Sequence, residues 1–160
     1  MATEPLDIDI PGFGALRLTH LVSDYNGTLA LDGRLLPGVA DLLLKVSARL
    51  QIHVVTADTF GLAHGELDTL PVQLTIIPAE NQAAAKLDLA RRLGADAVVA
   101  LGNGRNDREL LAAARIGIAL VQREGASAQT AAAADVLASS VLDALELLLH
   151  PKRLTATLRS

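Results

Sequence analysis

The sequence predicts an α/β fold with three layers: a central, mostly parallel β-sheet covered by helices on both faces. Short apolar segments typical of buried strands alternate along the chain with segments of helical periodicity, as in parallel sheets. Hydrophobic residues make up 51% of the 160 residues and charged residues 20%, which is the composition of a folded chain rather than a disordered one. We therefore expect a single domain over 1–160, with its core at about 19–150.

The first predicted element is a β-hairpin at about 6–18. Apolar and polar residues alternate over 6–10, which indicates a strand with one solvated face. Pro11 and Gly12 then turn the chain, and 15–18 predicts the returning strand.

The strands of the main sheet are predicted from short apolar runs, and the helices between them from apolar residues on one face. Pro37 favours the start of the first helix, and Gly94 ends the third. Gly61 and Gly65 weaken the second helix, and Pro151 is expected to end the last one. The predicted strands are 20–23, 52–55, 72–77, 97–101, 117–121 and 136–137. The predicted helices are 38–50, 59–70, 81–93, 107–114, 127–134 and 141–149.

Composition excludes several classes of function. The net charge of −4 argues against nonspecific nucleic-acid binding, which depends on clustered Lys and Arg. The absence of cysteine excludes thiolate catalysis and leaves oxygen or imidazole as metal ligands. No apolar run approaches the roughly 20 residues of a membrane span, and the acidic N-terminus does not resemble a signal peptide. We expect a cytoplasmic protein that binds neither nucleic acid nor membrane.

Polar side chains follow the predicted strands, at the edge where ligands bind in parallel sheets. Asp24 follows the first strand, Thr56 the second, and the segment 102–107 (GNGRND) the fourth, while Lys86 lies in the third helix. Taken singly, each has a structural explanation as a turn residue, a strand residue, a solvated lysine or a glycine turn that leads into a helix. Taken together, they supply a carboxylate, a hydroxyl, an ammonium group and a second carboxylate, Asp107. That set suits a phosphoryl group and Mg²⁺.

These segments resemble the four motifs of the haloacid dehalogenase-like (HAD) superfamily. The sequence DYNGTL at 24–29 is similar to its nucleophile motif, VVTA at 54–57 to the second, Lys86 to the third, and GNGRND to the fourth. The chain as a whole resembles the soluble, capless P-type ATPase-like group of that superfamily. The resemblance implies a Rossmannoid fold and a Mg²⁺-dependent phosphohydrolase or phosphotransferase that works through an aspartyl-phosphate.

The resemblance also implies residue roles. Asp24 would be the nucleophile and a metal ligand, and Asn26, Asn103 and Asp107 would complete the metal site, Asn26 through its carbonyl and Asp107 either directly or through water. Thr56 and Lys86 would bind the phosphoryl group, with Lys86 also steadying Asp24. The other residues expected beside the phosphoryl group or the metal loop are Tyr25, Ala57 and Asn106.

Two positions depart from the family pattern. Asn26 stands where phosphatases of the superfamily usually carry an acid–base Asp, and an amide cannot transfer a proton at neutral pH. Asn103 stands where another Asp is usual, which removes one anionic metal ligand. We therefore expect weak hydrolysis of ordinary phosphate esters. The alternative is a noncatalytic regulatory or interaction module that retains the phosphate and Mg²⁺ pocket.

The spacing between motifs leaves no room for a cap domain. Residues 29–36 are followed by one helix before the next strand, and one helix and one strand separate Thr56 from Lys86. An open site of this kind acts on a macromolecule or borrows a lid from another subunit, so a homo-oligomer is one possibility. The sequence does not identify the phosphorylated substrate.

Overall fold

Residues 4–160, which the computed structural model describes, form ten β-strands and seven α-helices. The strands are β1 (Leu6–Ile10), β2 (Gly14–Leu18), β3 (His20–Ser23), β4 (Ala30–Leu31), β5 (Arg34–Leu35), β6 (Gln51–Thr56), β7 (Val72–Ile76), β8 (Val98–Gly102), β9 (Ile116–Leu120) and β10 (Val136–Ala138). The helices are α1 (Val39–Val46), α2 (Ala63–Leu67), α3 (Gln82–Leu93), α4 (Arg108–Ala113), α5 (Ala128–Ala133), α6 (Val141–Leu149) and α7 (Pro151–Leu158).

The central sheet confirms the predicted α/β class. In the described part of the chain, six strands pair in the order β10-β9-β8-β3-β6-β7, and every pair is parallel. β1 and β2 form the predicted antiparallel hairpin as a separate sheet, with Leu6 opposite Leu18. The strand that precedes Asp24, β3, therefore lies inside the sheet, between β6 and β8.

Two apolar clusters cover the two faces of the sheet, as the near-continuous apolar strands require. In β8, Val99 and Leu101 belong to the cluster that contains α1, α6 and the hairpin, whereas Val98 and Ala100 pack with α3 and α4. The alternation of side chains along a strand produces this division.

The sequence prediction was wrong at one helix and missed another. The helix expected over 59–70 is limited to α2 because the chain before it turns through positive φ, 54° at Asp58 and 68° at Gly61. α6 ends at Leu149, before Pro151, as predicted, but a further helix, α7, begins at Pro151, since proline suits the first helical turn. Leu154 of α7 is fully buried, which anchors this final helix to the core.

The connection between β3 and α1 contains a short flap, formed by β4 and β5. Within residues 24–86 the structure contains this flap, α1, β6, α2, β7 and the start of α3, and no inserted domain. The carboxyl edge of the sheet is therefore not covered by a cap from this chain. No helix within residues 4–160 is long and apolar enough to cross a membrane.

Candidate active site

The candidate site lies at the carboxyl ends of three adjacent strands. Asp24 directly follows β3, Thr56 is the last residue of β6, and Asn103 directly follows β8. The backbone N–H of Asp24 donates to the carbonyl of Leu101 at 3.0 Å. This bond ties the loop 24–29, called the nucleophile loop for its resemblance to that motif, to β8. Parallel pairing thus brings together residues that lie far apart in the sequence, as expected for the edge where such sheets bind ligands.

Lys86 lies at the centre of the site and is 1% exposed. From α3 its Nζ donates to Oδ1 of Asp24 at 3.0 Å and to Oδ1 of Asp107 at 2.8 Å. A third bond, of 3.1 Å, reaches Oδ1 of Asn106. Burial alone lowers the pKa of Lys86, but the two carboxylates outweigh it and raise the pKa above its ordinary value. Because an ammonium group has three donors, all of them are used within this cluster.

In the described part of the chain, only one carboxylate oxygen of Asp24 is bonded to another side chain. Oδ1 accepts from Lys86, whereas Oδ2 accepts no hydrogen bond from another side chain among residues 4–160. The backbone N–H of Tyr25 also interacts with the carboxylate and favours its ionised form. The side chain is 12% exposed, so it reaches the open edge of the sheet. Burial, and next the charge of Asp107, raise the pKa of Asp24 to about 7, against the opposing effect of Lys86.

Asp107 is fully buried, and all its bonds are internal. Oδ1 accepts from Lys86, and Oδ2 accepts from the backbone N–H groups of Asn103 and Gly104, both at 3.0 Å. Gly102 allows this approach, since a Cβ there would lie 2.5 Å from Cγ of Asp107. Asp107 therefore holds the loop 103–107 and Lys86 in place, and each of its two oxygens already accepts at least one hydrogen bond.

Asn103 packs against the nucleophile loop. Its Oδ1 accepts from the hydroxyl of Thr28 at 3.3 Å, and its Nδ2 donates to the carbonyl of Gly125 at 3.1 Å. A Cβ at Gly27, where φ is 82°, would lie 2.5 Å from Nδ2 of Asn103. Glycine is required at this position because of both the backbone conformation and the close packing.

Asn26 and Tyr25 both contact the flap through their side chains. Oδ1 of Asn26 accepts from the N–H of Gly33 at 2.9 Å, and the hydroxyl of Tyr25 donates to the carbonyl of Gly33 at 2.8 Å. Tyr25 is fully buried, and burial followed by nearby Glu66 raises its pKa to about 12. The phenol side chain, expected beside the phosphoryl group, therefore lies in the core, and only the backbone of Tyr25 remains for a ligand. The carbonyl of Asn26 accepts no hydrogen bond from residues 4–160.

Thr56 and Ala57 lie at the turn after β6. Oγ1 of Thr56 accepts from the N–H of Asp58 at 2.9 Å, which leaves the hydroxyl hydrogen free to donate to a ligand. Ala57 is half-buried beside it. Asn106 bridges the site to α3, because its Nδ2 donates to Oε1 of Gln82 at 2.9 Å.

Gln122 is a residue that the sequence prediction missed. Its Nε2 donates to the carbonyls of Gly27 and Thr28, at 3.3 and 2.9 Å, and its Oε1 accepts from the N–H of Val141 at 2.8 Å. One amide thus joins the nucleophile loop to the start of α6. Gln122 lies two residues after β9, so the search at strand ends that identified Asp24 would also have identified it.

The oxygen donors fit a hard divalent cation such as Mg²⁺. Oδ2 of Asp24 has no side-chain partner within the described chain, the carbonyl of Asn26 accepts no hydrogen bond there, and Oδ1 of Asn103 keeps one lone pair. Among residues 4–160 no group of three or more His, Cys, Asp or Glu side chains forms a metal site. Any such site therefore depends on the carboxylate of Asp24 with amide and carbonyl oxygens, and Asp107 supports it by holding the loop 103–107.

Sequence comparison finds one informative relative. An uncharacterized protein from Methanocaldococcus jannaschii is 44% identical over 62 residues, which span 39% of this chain and 67% of the archaeal protein. No family model matches the chain.

Three solved structures share the fold at low sequence identity. The 3-deoxy-D-manno-octulosonate 8-phosphate phosphatase of Yersinia pestis has a TM-score of 0.64 and 16% identity, covering 94% of this chain and 95% of its own. The enzyme of the same name from Moraxella catarrhalis, in complex with magnesium, phosphate and its sugar acid, has a TM-score of 0.63 and 17% identity, over 83% and 86%. A HAD-superfamily phosphatase from Bacteroides thetaiotaomicron has a TM-score of 0.57 and 15% identity, over 88% and 96%. The three-layer fold predicted from the motifs is thereby confirmed.

Proposed function

Because this chain belongs to the same family as the M. jannaschii protein and has the fold of the HAD superfamily hydrolases, we propose that it is a Mg²⁺-dependent phosphohydrolase or phosphotransferase. Asp24 is the nucleophile and forms an aspartyl-phosphate. The observation that carries the proposal is the geometry of Asp24, with Oδ1 held by Lys86 at 3.0 Å and Oδ2 without a side-chain partner in residues 4–160, at the open edge of the sheet.

The charge of the site supports a requirement for a divalent cation. Asp24, Asp107 and Lys86 together carry a net charge of about −1 when all are ionised, which repels a phosphate dianion. A bound Mg²⁺ would reverse that sign, lower the pKa of Asp24 and reduce repulsion between the nucleophile and the phosphate. The residues available to hold it are Asp24, Asn26 through its carbonyl, and Asn103.

The chemical role of each side chain follows from its bonds. A carboxylate oxygen of Asp24 forms a bond to phosphorus as the bond between phosphorus and the leaving-group oxygen breaks. Lys86 holds the orientation of that carboxylate, and the hydroxyl of Thr56 donates to a phosphoryl oxygen. Since all three hydrogens of Lys86 are engaged, direct contact with the phosphoryl group requires the exchange of one of these bonds. Water then attacks the aspartyl-phosphate and restores Asp24.

Asn26 determines which substrates react well. Its amide cannot protonate a leaving group, and general acid–base catalysis typically contributes about 10²–10⁴-fold. Acyl phosphates and aryl phosphates, whose leaving groups need no proton, should therefore react faster than alkyl phosphates. The same lack of a base slows attack by water and prolongs the life of the aspartyl-phosphate.

The open edge of the sheet leaves the reacting groups without a lid from this chain. A second copy of the chain that covers this edge would exclude water and complete the site. Phe60, which lies against Gly33 of the flap and is 50% exposed, provides apolar surface next to the site for such a contact.

The test of the proposed activity is phosphate release from acetyl phosphate and p-nitrophenyl phosphate with Mg²⁺. We expect slow turnover by the wild type that EDTA abolishes, and no turnover by the Asp24→Asn variant. Asp9→Asn, which changes an exposed carboxylate of the N-terminal hairpin, is the matched control and should keep the wild-type rate. Equal rates for wild type and Asp24→Asn would disprove the proposal.

A second candidate function is a noncatalytic module that binds phosphate and Mg²⁺. The observation that favours it is the saturated Lys86, whose donors all bind groups of the protein, together with the two amides at positions 26 and 103. Titration with beryllofluoride separates the two functions. Tight Mg²⁺-dependent binding without any turnover would favour the module, and absence of binding would eliminate both.

A further inference from the structure

A cavity of about 490 Å³ opens beside the candidate active site, between the start of α3 and the loop that leads into α4. Its size lies in the range of small-molecule sites. Its lining includes none of Asp24, Thr56 and Lys86, so it is distinct from the place of the phosphoryl group. The polar residues of the lining are Asn81, Gln82, Arg105, Asn106, Arg108 and Glu109.

One hydrogen-bonded bridge connects the cavity to the reacting groups. Asn106, which lines the cavity, accepts from Nζ of Lys86 at 3.1 Å and donates to Gln82 at 2.9 Å. Lys86 in turn binds Asp24. The lining of the cavity is therefore separated from the carboxylate of Asp24 by one side chain, Lys86.

The charge of the lining favours an anion. Arg105 and Arg108 are exposed, and neither forms an ion pair with any residue of 4–160. The two arginines and Glu109 together give the lining a formal charge of +1, whereas the whole chain has a net charge of −4. Guanidinium groups bind carboxylates and phosphates through paired N–H donors, which gives them specificity for oxyanions.

We propose that the Arg105–Arg108 cavity binds a second anionic group of the substrate. This inference rests on the proposed function and specifies its substrate class: a phosphorylated compound whose remaining part carries a carboxylate or a second phosphate. The phosphoryl group reacts at Asp24, and Arg105 and Arg108 determine specificity without taking part in the bond changes.

Binding of phosphonates, which are not hydrolysed, tests the cavity independently of turnover. Calorimetry with Mg²⁺ would compare benzylphosphonate with 3-carboxybenzylphosphonate and with the analogue in which a second phosphonate replaces that carboxylate. We expect at least one of the two probes with a second anion to bind about tenfold more tightly than benzylphosphonate, since a hydrogen bond to a charged group contributes about that factor. The preferred probe identifies which anion the cavity accepts.

Variants assign the preference to the two arginines. The double variant Arg105→Ala with Arg108→Ala should lose the preference for a second anion but should bind benzylphosphonate as the wild type does. The double variant with Lys at both positions should keep part of that preference. Arg91→Ala with Arg92→Ala, at the far end of α3, removes the same charge elsewhere and should change nothing. Equal binding of all three probes by the wild type, or a preference that survives the double alanine variant, would overturn the inference. Turnover of acetyl phosphate measured in parallel shows separately whether the proposed function holds.

Discussion

Oδ1 of Asn26 accepts a hydrogen bond of 2.9 Å from the backbone N–H of Gly33, so the residue in the acid–base position of the nucleophile motif is also the residue that fastens the flap. An aspartate at position 26 could accept the same bond through one oxygen and leave the other for proton transfer. The departure from the family motif therefore changes the chemistry of the residue without requiring a different flap.

We expect Asn26→Asp to accelerate hydrolysis of an alkyl phosphate such as glycerol phosphate, by up to about 10²-fold in kcat. The effect on acetyl phosphate should be smaller, because its leaving group needs no acid. Asn26→Ala, which removes both the flap bond and any acid, is the control and should show no gain. If the Asn26→Asp variant folds but its ratio of kcat for glycerol phosphate to kcat for acetyl phosphate equals that of the wild type, proton transfer does not limit the rate.

The raised pKa of Asp24 predicts an unusual dependence of stability on pH in the absence of metal. The folded-state pKa is about 7, against an ordinary value of 3.8. Below 3.8 both states are protonated, and as pH rises from 3.8 through 7 the folded state holds its proton longer, so its stability falls. At 1.36 kcal/mol per pKa unit, the full loss is at most about 4 kcal/mol.

Urea denaturation in EDTA at pH 5 and pH 8 measures this loss. Asp24→Asn should be more stable than the wild type at pH 8 and should lose less stability between the two values. Mg²⁺ should reduce the wild-type loss, because a cation at Oδ2 favours the ionised carboxylate. Asp9→Asn, on the exposed face of β1, should follow the wild type. A wild type that gains stability from this titration as pH rises would show that Lys86, rather than burial, dominates at Asp24.

Gln122 provides a test of how firmly the nucleophile loop must be held. Gln122→Ala removes its bonds to the carbonyls of Gly27 and Thr28 and to the N–H of Val141. We expect a loss of about 1–3 kcal/mol in the free energy of unfolding and a fall of about tenfold in kcat, while KM for acetyl phosphate changes little. Gln129→Ala, on the exposed surface of α5, is the matched control. A fall in the free energy of unfolding of that size without any change in kcat would limit Gln122 to a structural role.

The residues that the sequence could identify share one physical basis. Asp24, Thr56 and Asn103 stand directly at strand ends, and the geometry of a parallel sheet brings such positions together whatever their distance in sequence. Lys86 could be found only through its resemblance to a family motif, because nothing in the pattern of α3 distinguishes a buried lysine from a solvated one. The structure adds that the ammonium is 1% exposed and that its three donors are all used.

The remaining differences come from tertiary contacts and from local backbone geometry. The two strands of the flap were not predicted because β4 and β5 have two residues each, too few to show a period. Proline is found both after helices and in their first turn, so Pro151, which correctly indicated the end of α6, did not also indicate the start of α7. The backbone partner of Asn26 lies 7 residues away, and those of Gln122 lie 95, 94 and 19 residues away. No pattern of side chains records such bonds.

His20 and His53 predict a second pH effect, opposite in sign to that of Asp24. Nδ1 of His20 lies 3.1 Å from Nε2 of His53, an arrangement in which one ring donates and the other, which must be neutral, accepts. Burial lowers the pKa of both, and for His53 the charge of His20 adds to the effect. Above the ordinary value of 6.5 both states are neutral, whereas below it the unfolded chain binds protons that the folded chain resists. Stability is therefore lost as pH falls below 6.5.

Because the two effects oppose each other between pH 5 and 7, the histidine effect is best measured in the Asp24→Asn background. There the free energy of unfolding should fall as pH is lowered from 7.5 to 5. The double variant His20→Gln with His53→Gln should show a flatter profile, since glutamine can donate and accept in the pair without gaining charge. Replacing the two exposed histidines, His64 and His150, with glutamine should leave the slope unchanged. If that control flattens the profile as much as the buried pair does, the acid sensitivity does not arise from the contact between His20 and His53.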